Sequence, residues 1–151
     1  MNTDVIKNFL AIFVSIILIY PTYVVGIYVS KIYMYFFSYM SYGFDFYGIK
    51  LLENFFTVYF TSLMQGGTSG FLTIFITSKI IKNANYIVVF YTLASILALF
   101  FLLSYFFNLF ILGFYKSNLS ENVFHIIEII VLLGSFGGCA FIAANGINKK
   151  V

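Results

Sequence analysis

Residues 62–70 read Ser-Leu-Met-Gln-Gly-Gly-Thr-Ser-Gly and interrupt a long apolar run at the depth where a lipid-spanning helix passes the bilayer centre. Groups that weaken a helix in hydrocarbon persist there only where other protein or a watered cavity satisfies them. This segment is therefore expected to face a partner rather than lipid. The surrounding composition supports a membrane setting. The chain has 151 residues, 62% hydrophobic and 9% charged; soluble domains carry about a quarter charged residues.

A crossing helix needs roughly 20 mainly apolar residues. Four runs meet that length, at about 9–30, 55–78, 86–113 and 123–145. The fold class expected is all-α, a polytopic four-helix transmembrane bundle forming one domain over 1–151, with short connections except at 31–54. The segment before the first run is too short and too weakly basic for a cleaved leader, so the first helix is expected to remain as an anchor. Cys139 is the single cysteine, which excludes an intrachain disulfide and reads as a small packing residue.

Orientation follows from lysine, since arginine is absent. With a cytoplasmic amino terminus, Lys7, Lys79, Lys82, Lys149 and Lys150 lie inside, and Lys31, Lys50 and Lys116 outside. Cytoplasmic loops carry the positive excess, so both termini are expected inside, in a multi-pass protein of the cell inner membrane. The second and fourth helices then run in the same direction. A net charge of +3, scattered along the chain, offers no basic face for direct nucleic-acid binding.

On the second helix, steps of three and four link Ser62, Gly66, Ser69, Gly70, Thr73 and Thr77 into one face of small residues, bordered by Gln65. Gly66 and Gly70 form a GxxxG pair, the spacing that lets two helix backbones approach closely. Three uses are open: packing within one subunit, packing between copies in a homo-oligomer, or lining a water-filled path. Gln65 needs a hydrogen-bond partner on another helix or another subunit. Gly134 and Gly138 repeat the device on the fourth helix at similar depth, so matched notches on two co-directional helices are expected to dock. The third helix is bulky and apolar and is expected to form an outer wall.

Glu121, His125 and Glu128 share one face of the fourth helix. Glu121 suits a helix amino terminus behind Ser120. His125 and Glu128 are read as a polar pair near the interface, or as a proton-responsive element, because histidine titrates near neutral pH. One histidine and two carboxylates do not make a metal site, and no nucleophilic triad, HExxH or phosphate-cradling motif occurs. Neither catalysis nor a cofactor is expected. Pro21 lies inside the first helix, where it shapes packing or gating.

The connection 31–54 is dense in tyrosine and phenylalanine and reads as an aromatic belt with an interfacial segment, or as a platform for a protein outside. Asp45 with Gly43 and Gly48 marks a turn within it. Tyr39, Tyr42 and Tyr47 on the outer side, and Lys79 and Lys82 on the inner side, are the candidate partner contacts. The function expected is a non-enzymatic oligomeric scaffold or sensor in contact with membrane lipid, recruiting a cytoplasmic protein through residues 79–85 and the carboxy-terminal tail. The alternatives are a homo-oligomeric pore lined by the small-residue face, and an accessory subunit of a larger membrane complex.

In size, in four short-looped spans and in a composition typical of AT-rich coding, the chain resembles the small membrane subunits of bacterial anti-phage systems, of the type of the Kiwa membrane component. The resemblance implies an inner-membrane homo-oligomer that detects disturbance at the envelope and works with a cytoplasmic effector. It assigns no role to any single residue.

Overall fold

The computed structural model describes the backbone of residues 3–41, 47–110 and 119–148, and the side chains of 3–35, 57, 59–100, 102–103 and 126–148. The described chain is all-α: α1 (Thr3–Ser41), α2 (Tyr47–Ile80), α3 (Tyr86–Phe110) and α4 (Leu119–Asn148). Two segments, Thr3–Tyr35 in α1 and Ile126–Asn148 in α4, are long and apolar enough to cross a membrane.

The helices outrun the apolar windows. Residues 31–41 continue α1 and α2 begins at Tyr47, so most of the expected long connection is helix and only 42–46 separates the two. The physical reason is that a helix does not have to stop where hydrocarbon ends. Lys31 and the tyrosines after it are acceptable helix residues, and the next glycine beyond Lys31 is Gly43. Gly48 lies within α2, and Asp45 and Gly43 lie outside the described residues. α4 likewise starts at Leu119 rather than near 123.

α2 is the central element, flanked by α1 and α4. Pairs such as Ser15 with Thr77 and Thr22 with Ser69 set α1 antiparallel to α2. Ser62 beside Glu128, and Gly70 beside Phe136, set α4 parallel to α2. α3 joins mainly α1 and α4. Tyr86, Val89 and Leu93 on its first turns are buried against a cluster that includes Ala11, Ala140, Ala143 and Ala144. The three alanines of α4, Ala140, Ala143 and Ala144, recur at helical spacing and form a shallow face on which α3 rests. Further along, Ile96, Leu99, Phe100, Leu102 and Leu103 are exposed, so α3 is a wall over that part only.

The turn between α2 and α3 is tied to both chain ends. Asn83 takes a left-handed conformation with φ 63° that reverses the chain after α2. Asn85 caps α3, its Oδ1 accepting from Val88 N at 3.4 Å. Asn8 of α1 accepts from Asn85 N at 2.8 Å, and Asn148 of α4 accepts from Tyr86 N at 3.3 Å while its Nδ2 donates to Asn85 Oδ1 at 3.2 Å. The amides of the capping Asn85 and of Tyr86, the first residue of α3, which no helical carbonyl reaches, are thus bonded by side chains from two other helices. The Tyr86 hydroxyl turns back onto the carbonyls of Thr77 and Ile81 at the end of α2.

Candidate functional site

The polar interior starts from the small-residue stripe of α2. Among the described residues the buried polar side chains are Ser15, Thr22, Ser30, Ser62, Ser69, Thr73 and Thr77, all hydroxyls, whereas Phe9, Tyr20, Ile32, Leu99 and Ile142 face outward. Ile74, Tyr86, Val89, Leu93 and Phe136 are buried as well, but far more of the large apolar side chains face outward than inward, unlike a soluble domain, which buries most of them. Every buried side-chain oxygen and nitrogen among the described residues has a hydrogen-bond partner.

One edge of the stripe meets α1. Thr22 Oγ1 lies 3.1 Å from Ser69 Oγ and 2.8 Å from Thr73 Oγ1, and Ser15 Oγ lies 3.0 Å from Thr77 Oγ1. A hydroxyl has one proton, which fixes the directions. Thr77 donates to Thr73 O at 2.7 Å, so Ser15 donates to Thr77. Thr22 donates to Leu18 O at 2.7 Å, one turn back and next to Pro21, so it accepts from Ser69 and Thr73. Both chains end on backbone carbonyls, and among the described residues no hydroxyl bond joins Thr77 Oγ1 to Thr73 Oγ1. The arrangement locks two helices together.

Gln65 belongs to the same seam. Its Oε1 accepts from Tyr23 at 3.3 Å, and its Nε2 donates to Ser30 Oγ at 3.2 Å. The partner expected on another helix or another subunit is α1 of the same chain. Gly26 brings the two backbones together here, since a Cβ on it would stand 2.7 Å from Gln65 O.

The other edge of the stripe meets α4 by backbone. A Cβ on Gly66 would overlap Leu132 O and Ser135 Oγ, and one on Gly70 would overlap Phe136 O, with Phe136 C at 2.9 Å. The glycine hydrogens point at these carbonyls, the arrangement of Cα–H···O contacts between close helices. Ser135 Oγ donates to Leu132 O at 3.0 Å within α4. The face α4 presents is therefore Leu132, Ser135, Phe136 and Cys139. Gly134 and Gly138 are not part of it: both are exposed, with nothing within 4 Å of a Cβ placed on either. The expected docking of two matched notches is corrected to one notch on α2 receiving the backbone of α4. The reason is angular. Leu132 and Phe136 are one turn apart on one side of α4, and Gly134 and Gly138 lie about 120–160° around the helix from them at 100° per residue.

Ser62, Ser69, Thr73 and Thr77 are each no more than 1% exposed, so the stripe lines no water-filled path within this chain. Both edges are already covered, and the face expected to pack copies together or to line a pore is occupied by α1 and α4.

Glu128 is half-buried and accepts from Ser62 Oγ at 3.2 Å. Ser62 is within one turn of Gln65, which bonds Ser30, the residue before Lys31. Glu128 thus shares a level with Lys31 at one end of the apolar slab. The His125 and Glu121 side chains lie outside the described residues, as do those of Tyr39 and Tyr47 and all of Tyr42. Lys79 and Lys82 are exposed at the opposite end.

Two features were not singled out from sequence. α1 carries its own small face, Ala11, Ser15, Thr22, Gly26 and Ser30, at steps of four and seven, a pattern present in the sequence and masked by the bulky residues between. The Asn8, Asn85 and Asn148 cluster has no linear signature, because its members come from three separate segments. No protein-family model, no curated protein and no solved structure matches this chain.

Proposed function

We propose that the chain is a four-span, multi-pass inner-membrane subunit with both ends cytoplasmic, acting as a non-enzymatic scaffold or sensor through contacts with other proteins. The observation that carries this reading is the distribution of polarity: the hydroxyls and glycines of the α1–α2 seam and the α2 stripe are enclosed, the buried polar atoms among the described residues are satisfied, and the outer surface of the described helices is rich in isoleucine, leucine and phenylalanine. Lipid tails are as apolar as leucine, so such a bundle is held by close backbone approach and internal hydrogen bonds rather than by apolar burial. Residues 8–30, 54–78, 83–115 and 129–148 carry no formal charge. The shortest of these, at ~1.5 Å per residue, gives about 30 Å of helix, the thickness of a hydrocarbon core.

A sealed core favours a scaffold over a pore within one chain. Its partners in this reading are further copies of itself and a cytoplasmic protein meeting the inner turn around Lys79 and Lys82, in a setting such as the anti-phage membrane subunits that the chain resembles. The test is reconstitution into liposomes together with mass measurement of the complex extracted in mild detergent. The reading expects ion flux equal to that of empty vesicles and a mass above one chain. Flux that a Gly66 substitution abolishes would replace the scaffold with a channel, and a strictly monomeric mass without companions would remove the assembly.

A further inference from the structure

The face of α2 opposite its small-residue stripe is left uncovered between α1 and α4. Phe71, Phe75 and Lys79 follow one another there at steps of four. Phe71 and Phe75 are stacked, with centroids 5.8 Å apart and ring planes 12° from parallel. They are 43% and 42% exposed, against 69% for Phe9 and 76% for Tyr20 on the outer side of α1, so the pair is partly sheltered. Lys79 lies back along the helix, its Nζ 5.4 Å from the Phe75 centroid. The ammonium is thereby held at the rim of the aromatic strip with its N–H groups free to turn outward. Lys82 is exposed in the turn just beyond, beside Ile80 at 59% exposure. Among the described residues neither lysine is paired with a carboxylate.

We propose that this strip binds an anionic phospholipid of the leaflet on that side, with an acyl chain along Phe71 and Phe75 and the phosphate between the ammonium groups of Lys79 and Lys82. The inference rests on the membrane-spanning reading above. Charge complementarity selects the occupant: two exposed cations without a carboxylate partner among the described residues top an apolar strip of two stacked rings, and an anionic headgroup above an acyl chain has the same order of charge and apolar length. A zwitterionic lipid would bring its own cation against the lysines. Each lysine near an anionic headgroup is worth about five-fold in binding.

The full chain in nanodiscs of mixed phosphatidylglycerol and phosphatidylcholine, with native mass spectrometry of the retained lipid, tests this. The wild type retains phosphatidylglycerol preferentially. The double variant Lys79→Gln, Lys82→Gln loses that preference by about ten-fold or more, and Lys79→Arg, Lys82→Arg keeps it. Phe75→Ala weakens retention with the lysines intact. Equal retention of the two lipids by the wild type, or an unchanged preference in the double glutamine variant with the same helical circular dichroism, would overturn the proposal. So would complete displacement of the lipid by millimolar inorganic phosphate, which would leave the acyl chain without a role. A chain that stays in detergent-free buffer without entering nanodiscs would instead refute the membrane reading beneath it.

Discussion

The α1–α2 seam and the α2–α4 seam use two edges of one stripe and hold by different means. Towards α1 the stripe offers mainly side chains, and hydroxyl pairs and one glutamine make the contact, with one close backbone approach at Gly26. Towards α4 backbone sits on backbone at Gly66 and Gly70, and Ser62 adds one side-chain bond to Glu128. The difference sets how each seam fails. A hydrogen-bonded seam loses one modest contribution at a time, about 0.6 kcal/mol on average inside a membrane bundle. A backbone seam tolerates no added atom, because carbonyls cannot move aside as side-chain tips can.

The largest effect is expected from Gly70→Val. Its branched Cβ would overlap Phe136 O, and the result should be about 3 kcal/mol or more of destabilisation with α4 displaced. Thermal or denaturant unfolding in detergent measures it. A cost under about 1 kcal/mol would break the distinction between the seams.

Thr22→Val should follow at about 1–2 kcal/mol, because it removes the acceptor shared by Ser69 and Thr73. Thr22→Ser should restore most of that loss. If the serine variant is as unstable as the valine one, methyl packing rather than the hydroxyl holds this seam.

Asn148→Ala takes the Tyr86 amide's partner and one bond to Asn85. A loss of about 1 kcal/mol is expected, comparable with removing a helix cap. Hydrogen exchange at the amide of Tyr86 should quicken, while that of Asn85, still bonded to Asn8, changes less and that of mid-α2 stays protected, which marks the clasp as independent of both seams.

Gly138→Ala is expected to be neutral in the single chain or to stabilise it by up to about 1 kcal/mol, since nothing lies within 4 Å of the added carbon and alanine is the better helix former. A fall in the mass of the detergent complex alongside unchanged unfolding would assign that open face to contact between copies.

Much of this pattern was legible in the chain. The stripe of Ser62, Gly66, Ser69, Gly70, Thr73 and Thr77 follows from helical spacing, and all-helical architecture follows from the length of the apolar runs. Periodicity locates a face but carries no information about its neighbour. The division of that face between α1 and α4, the closure of Gln65 onto Tyr23 and Ser30, and the outward turn of Gly134 and Gly138 all depend on how three helices are rotated about their axes. Helix bounds exceed the apolar runs for a related reason: hydropathy marks the apolar stretch, and the backbone continues as helix past it through residues 31–41.

The measurement that bears most directly on an α2 enclosed within its own chain uses the native cysteine. A Cβ at position 67 would stand 3.1 Å from Cys139 Sγ, close to the ~3 Å that bonded disulfide geometry implies between one residue's Cβ and the other's sulfur. Mild oxidation of Gly67→Cys should therefore give an intramolecular disulfide in a band of monomer mass, blocked by Cys139→Ser. Two thiols that stay reactive, or a bridge found only between two chains, would contradict the seating of α4 on α2.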